Sequence, residues 1–400
     1  MCFLAADRNG NMAVGKLDAR VGCLDGLRGV AALWVLIGHC MLLTGLNLPI
    51  IGQPDFGVDL FILLSGFLMV FQYNIRRQFE NWGRMSTWAS FWARRFFRIA
   101  PLYYAMLIAA LLFGPLIFEN RVGIDNFLGR DLQNSSRYLD GSVKNIWLHL
   151  TFLFGMVPSY AYRTPLPDWS LGLEMQFYTV FPLLILLTRK MGWFGTVILA
   201  AGGSVIVVGM MGKVGIDFPM PAFLPLKMHL FLCGMLIANA VGADGVRLWS
   251  TLILALFLAA IPVGGAQDVG HFVIREMIVL SFFALVHLRR ISVVDWTSKL
   301  LGVRPFHWLG ELSYGVYLCH LLLLQPVAAW VILGWGHSIS NSGRFMLVLV
   351  IVAPLAYAIA YLTYMSIELP GQKLGKIILR KLAGSRGKAD QVPAERIAAP

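Results

Sequence analysis

Apolar residues run through this chain in long blocks, and polar residues gather in the gaps between them. The blocks fall at residues 29–46, 56–73, 99–118, 169–188, 195–211, 227–243, 248–264, 271–288, 308–333 and 345–365. Each is close to the roughly 20 residues a helix needs to cross a hydrocarbon layer about 30 Å thick. An eleventh block, residues 146–157 (IWLHLTFLFGMV), is too short for a full crossing and reads as a re-entrant or interfacial piece. The pattern predicts an all-α integral membrane protein: a bundle of about ten transmembrane helices plus one short re-entrant or interfacial helix.

Composition agrees. With 58% hydrophobic and 14% charged residues and a mean hydropathy of +0.70, lipid must cover much of the surface. The net charge of +12 raises the question of nucleic acid, but its placement answers it. Basic residues cluster in alternate short loops (Arg76, Arg77, Arg84, Arg94, Arg95 and Arg98; Arg189 and Lys190; Arg289, Arg290, Lys299 and Arg304) and in the tail. Other loops are mixed; residues 119–144 set Glu119, Asp125, Asp131 and Asp140 against Arg121, Arg130, Arg137 and Lys144. That is the positive-inside pattern, and it places both termini in the cytoplasm if the short block does not cross. The partner is a bilayer, not nucleic acid.

The five cysteines show no paired spacing, and Cys40, Cys233 and Cys319 lie inside apolar blocks. They read as free thiols, with neither a disulfide frame nor a metal site. The first residues carry no apolar signal core, so no cleavable signal peptide is expected, and Met12 is as good a start as Met1. The expected organisation is a cytoplasmic segment over 1–23, one transmembrane domain over 24–370, and a basic, disordered cytoplasmic tail over 371–400.

Chemistry concentrates in a few places. In residues 24–40, LDGLRGVAALWVLIGHC, Arg28 stands at the mouth of an apolar helix and His39 inside it. Eleven steps of about 100° fall within about 20° of three full turns, so both side chains share one face. An ionisable side chain at that depth is costly and points to function; the alternative is a histidine that merely packs against a neighbouring carbonyl. In DFGVDLFILLSGFLM (55–69), Asp59 enters the next block from the same membrane side as His39. It could fix the imidazole tautomer, as the carboxylate of a catalytic triad does, or simply face water. Ser65-Gly66 reads as close helix packing rather than a nucleophile.

In WARRFFRIAP (92–101), Arg95 and Arg98 are three apart on one helix face, with Arg94 beside them. Guanidinium forks bind phosphates, so this cytoplasmic cluster suits an acyl-CoA donor; a plain positive-inside anchor would need fewer arginines. In DWSLGLEMQFY (168–178), Trp169 marks the interface and Ser170 and Glu174 are four apart. Glu174 could pair with an arginine, bind acceptor hydroxyls or assist His39. Glu311 and His320 in GELSYGVYLCH (310–320) are half a turn out of phase and serve different contacts, and Glu368-Leu-Pro closes the last block.

Taken in order, LDGLRGVAALWVLIGHC, FGVDLFILLSGF, RRFFRIAPLYY, WSLGLEMQFYTVFP and LSYGVYLCHL strongly resemble the type-3 membrane acyltransferases over roughly residues 23–370. Those are ten-helix proteins that O-acylate polysaccharides, lipid-linked glycans, peptidoglycan or macrolide-type products. The resemblance implies that His39 is the catalytic residue and that Arg95 and Arg98 handle the acyl-CoA donor, with Arg28 nearby. It carries the WSL-x-x-E element onto Trp169, Ser170 and Glu174 as an acceptor-side element. Family members often have a second acidic residue after that glutamate; here Met175 follows, leaving one carboxylate. Some members add an extracytoplasmic esterase-like domain, whereas this chain resembles the stand-alone form.

The expected function is therefore transfer of an acyl group, an acetyl group first of all, from cytoplasmic acyl-CoA to a hydroxyl of a glycan, polysaccharide or other acceptor at a bacterial inner membrane. In that scheme His39, oriented by Asp59, deprotonates the acceptor, while Glu174 and Trp169 shape the acceptor site; a covalent acyl-histidine is the other route. The rival reading is a transporter or flippase of a glycan, lipid or proton-coupled solute. The lack of inverted repeats and of paired broken helices weighs against it.

Overall fold

The computed structural model describes residues 10–384 apart from 266 and 267, with side chains from 22 to 381. The described residues are helical and contain no strand. α1 (Gly10–Thr44), α2 (Pro54–Arg76) and α3 (Met85–Leu128) come first. A short α4 (Ser136–Leu139) and α5 (Val143–Leu150) follow, then α6 (Trp169–Lys213), α7 (Leu224–Asn239), α8 (Gly245–Ala259) and α9 (Val269–His287). After α10 (Ser292–Leu301) come α11 (Arg304–Trp335), α12 (Asn341–Thr363), a π-helical turn (Tyr364–Glu368) and α13 (Leu369–Gly384).

Among the described residues, seven helical stretches are long and apolar enough to cross a membrane. α7 and α8, of 16 and 15 residues, are apolar but shorter. The 45-residue α6 is two helices joined at Gly192, whose φ of 73° and ψ of 175° break the helical path. Only glycine takes that conformation without strain. The break falls beside Arg189 and Lys190, in the gap that separates the apolar blocks 169–188 and 195–211.

At two contacts the backbones touch because a side chain is absent. A Cβ on Gly66 of α2 would lie 2.1 Å from the carbonyl oxygen of Phe231 in α7, and one on Gly234 would lie 2.0 Å from that of Leu63. Small residues that let helices approach this closely are a common basis of helix packing in lipid, as Ser65-Gly66 suggested. The block at 146–157 is no crossing. It forms the end of α5 and one 3₁₀ turn, Leu153–Met156, and a second such turn, Pro158–Tyr160, follows directly. Asp168 ties this region down, accepting from Thr164 Oγ1 (2.7 Å) and Tyr103 Oη (3.2 Å) with His149 Nε2 at 3.6 Å.

The chain ends depart from expectation. Within the segment 1–23, helix runs from Gly10 straight into α1, and residues 1–9 lie outside the described ones. The expected disordered tail 371–400 is helical as far as Gly384. Its Gly371 and Gly375 pack against Pro101 and Phe97 of α3, a contact that residue pattern alone does not announce. Residues 385–400 lie outside the described ones.

Candidate active site

Five helices surround a cleft of about 760 Å³, mouth included. α1 brings Arg28; α2 brings Phe61, Ser65 and Gln72; α3 brings Arg95 and Arg98; α6 brings Ser170, Glu174 and Tyr178; α11 brings Tyr314 and Tyr317. Helical spacing accounts for the sets. Residues 170, 174 and 178 repeat every four positions, and 61, 65 and 72 share one stripe. Of the site residues expected from sequence, Arg28, Arg95, Arg98, Ser170 and Glu174 therefore meet at one cavity.

Arg95 is 8% exposed and is fixed on three sides. Its Nη2 donates to Gln72 Oε1, and its guanidinium lies 5.8 Å from the ring centre of Phe91 and 5.5 Å from that of Tyr178. Cation–ring contacts of this kind hold a guanidinium without neutralising it. Its Nε has no partner. Arg98 makes no ion pair among the described residues, and the carboxylate closest to Arg28 is Asp25, at 3.9 Å. Arg94, by contrast, turns away to Glu80 (3.0 Å).

Glu174 accepts from Ser65 Oγ at 2.8 Å and from the Tyr178 hydroxyl. Two neutral donors satisfy one carboxylate oxygen without cancelling its charge. Tyr317 donates its single hydroxyl proton to the Pro167 carbonyl (2.8 Å), so in the 2.7 Å contact between them Ser170 Oγ is the donor.

His39 does not line this cleft. It is half-buried, with Nδ1 2.9 Å from the Val35 carbonyl and 3.2 Å from His320 Nε2. His320 is 1% exposed, and its Nδ1 lies 2.7 Å from the Tyr317 carbonyl and 3.2 Å from that of Val316. Carbonyls only accept, so the hydrogen-bond network assigns the proton to Nδ1 on each ring. His320 Nε2 is then an acceptor for His39 Nδ1–H, and His39 Nε2 keeps a free lone pair. A neutral histidine held in one tautomer by a second group has the form of a general base with its orienter. Tyr317 connects the two centres: its ring lines the cleft and lies 6.0 Å, centre to centre, from His320.

Two expectations need correcting. Asp59 does not orient His39. It is 2% exposed and held by Lys227 Nζ (2.5 Å) and Arg275 Nε (3.4 Å), on α7 and α9. The reason is helix phase. Gly57 is the α2 residue pressed on α1, where a Cβ would meet Val35 at 2.7 Å and the Ala31 carbonyl at 2.9 Å. Asp59, two positions on, is about 200° around the helix and faces the other way. Trp169 is likewise not in the cleft wall; it is 6% exposed, in the core. Glu174 shares the cleft with the arginines.

His320, Ser65, Gln72, Tyr178 and Tyr317 are the residues that sequence reasoning passed over or ranked low. His320 and Tyr317 lay in a stretch already singled out, and their spacing of three gave a shared face. Nothing in the local pattern aimed that face at α1.

Similarity to known proteins identifies the family of the chain. The sequence model of a family described as an acyltransferase domain matches residues 21–365, and the chain belongs to that family. A peptidoglycan O-acetyltransferase of Listeria monocytogenes is 26% identical over 385 residues, covering 89% of this chain and 56% of that protein. A protein of Bacillus subtilis, provisionally named a peptidoglycan O-acetyltransferase, is 24% identical over 334 residues, covering 76% of this chain and 49% of its own length. A provisionally named O-acetyltransferase of Staphylococcus aureus is 24% identical over 380 residues, 88% of this chain and 57% of that protein. The chain thus spans about half the length of these relatives. No solved structure matches it.

Proposed function

We propose that this protein is a membrane O-acetyltransferase that takes its acetyl group from cytoplasmic acetyl-CoA and passes it to a glycan hydroxyl. The observation that carries this reading is the pairing of two centres: a cleft with incompletely paired arginines, and a histidine pair behind its tyrosine wall. The acceptor class is the one named for the relatives, peptidoglycan. Ten crossings follow if α6 counts as two helices and the short α7 and α8 each cross. The termini and the Arg28 end of the cleft then face the cytoplasm of a cell bounded by its inner membrane.

In this scheme Arg28, Arg95 and Arg98 bind donor phosphates, since guanidinium forks match phosphate oxygens. Glu174, held by Ser65 and Tyr178, limits how much anion the cleft can hold. The acyl arm passes Phe61 and Tyr317 toward His39. His39 Nε2 takes the proton from the acceptor hydroxyl, and the oxygen attacks the thioester carbonyl. The C–S bond breaks, and the CoA thiolate recovers the proton from the imidazolium. His320 accepts from His39 Nδ1–H throughout, so the reactive lone pair stays on Nε2. No proton is gained or lost overall.

The test is transfer of labelled acetyl from acetyl-CoA to the glycan fraction by purified protein in vesicles. Wild type transfers label and His39→Ala does not. Full transfer by a folded His39→Ala protein would overturn the mechanism.

A further inference from the structure

Arg137 is 6% exposed, and neither the cleft nor the histidine pair uses it. It stands on α4, in the segment that links α3 to α6. Its Nε donates to the Thr164 carbonyl at 3.3 Å, and its guanidinium lies 3.7 Å from the ring centre of Tyr162 and 5.4 Å from that of Tyr138. Its two Nη nitrogens have no hydrogen-bond partner among the described residues, and both touch open space. Three carboxylates of this region are held by other groups. Arg163 takes Asp140 at 2.8 Å, Arg121 takes Asp125 at 2.9 Å, and Thr164 donates to Asp168 at 2.7 Å. A buried cation without a counter-ion is costly, and ring contacts do not cancel its charge.

Anchors on two helices fix where those nitrogens sit. α1 and α11 run side by side in one direction, since Gly29 presses on Leu309 and Gly310 while His39 meets His320. Arg130, early in the linking segment, donates to the Leu42 carbonyl of α1 at 2.8 Å, three residues beyond His39. Tyr138, next to Arg137, donates to Gln325 Oε1 of α11 at 3.2 Å, five residues beyond His320. At 1.5 Å per residue these anchors lie about 5 and 8 Å past the histidine pair, on the side away from Arg28. The segment carrying Arg137 thus roofs the two histidines at the end of the bundle opposite the arginine end of the cleft.

We propose that Arg137 anchors the acceptor, binding a carboxylate of the glycan while the hydroxyl to be acetylated reaches His39 Nε2. The inference rests on the acetyl-transfer reading above and narrows its acceptor to a carboxylate-bearing glycan. Peptidoglycan has that chemistry, because the peptides on its sugars end in carboxylates. A guanidinium with both Nη groups open suits it, offering paired N–H donors to two oxygens. Donor and acceptor then approach the histidine pair from opposite ends of the bundle.

The test compares two acceptors with labelled acetyl-CoA and purified full-length protein in detergent: a muramyl-peptide glycan with free carboxylates, and the same glycan amidated. Wild type should favour the free acid by about 10- to 100-fold in kcat/KM, the range for hydrogen bonds to a charged group, mostly through KM. Arg137→Gln should bring the free acid down to the level of the amide. A segment that is merely displaced would instead lower both acceptors together. CoA binding checks that the variant is folded. If Arg137→Gln folds poorly, Arg137→Lys reads the same loss of preference, since an ammonium lacks the fork. A folded Arg137 variant with the full preference, or a wild type with none, overturns the inference and leaves acetyl transfer standing. Wild-type protein that acetylates neither glycan overturns the acceptor reading, and this inference with it.

Discussion

Two groups of charges sit among these helices, one fully buried and one mostly half-buried, and they are built in opposite ways. Around Asp59, charges close on one another: Lys227 at 2.5 Å and Arg275 at 3.4 Å, with all three residues at most 6% exposed. Around the cleft, charges are kept open. Arg95 rests on rings and an amide, Arg98 has no ion pair among the described residues, and Glu174 is satisfied by neutral hydroxyls. Closed pairs spend their interaction on holding helices together; open charges keep it for a ligand. In the sequence the two groups look alike, each being ionisable residues in apolar helices. The difference lies in which face each residue presents.

The comparison can be broken most sharply at His39. His39→Ala should lower acetyl transfer by about 10²- to 10⁴-fold, the usual worth of a positioned general base, while thermal unfolding in detergent stays near wild type. Asp59→Asn should do the reverse. It strands two buried cations and should cost about 3–5 kcal/mol of stability, read as earlier loss of monodisperse protein on heating, with CoA binding per folded molecule retained. A stable Asp59→Asn protein that has lost transfer would return Asp59 to the catalytic centre.

Smaller effects sharpen the same contrast. Gly66→Ala drives a Cβ to 2.1 Å from the Phe231 carbonyl. It should cost about 1–3 kcal/mol of stability through overpacking, with donor affinity unchanged in the folded fraction. Ser65→Ala, one residue away, removes one donor to Glu174. It should weaken donor affinity or strengthen it by a factor of about five, the worth of one ordinary hydrogen bond of about 1 kcal/mol, and should leave the melting temperature almost untouched. Neighbouring positions on α2 would then report on opposite properties.

How much of this was legible follows from which interactions are local. Arg95 with Arg98, and Ser170 with Glu174, sit at helical spacing, so their shared faces could be read directly, and both pairs do line the cleft. The break in α6 was visible as Arg189 and Lys190 followed by Gly192. The His39–His320 contact joins residues 281 apart in the chain, and no periodicity sets the distance between α1 and α11. Asp59 was misread because membrane side was taken as proximity. Gly57, two residues earlier, carried the contrary signal, since a glycine pressed on α1 turns residue 59 away. Glu368 was noticed only as the end of the last block; that the helix opens a π turn there, with a proline two residues on, needed the backbone.

The most direct test of the account is equilibrium binding of acetyl-CoA to purified protein, comparing wild type, Arg95→Ala/Arg98→Ala and Asp59→Asn. The account predicts binding by wild type that weakens as salt rises, loss of binding in the double arginine variant, and retention in Asp59→Asn. Equal binding by wild type and the double arginine variant, or no binding of any short acyl-CoA by folded wild type, would contradict it.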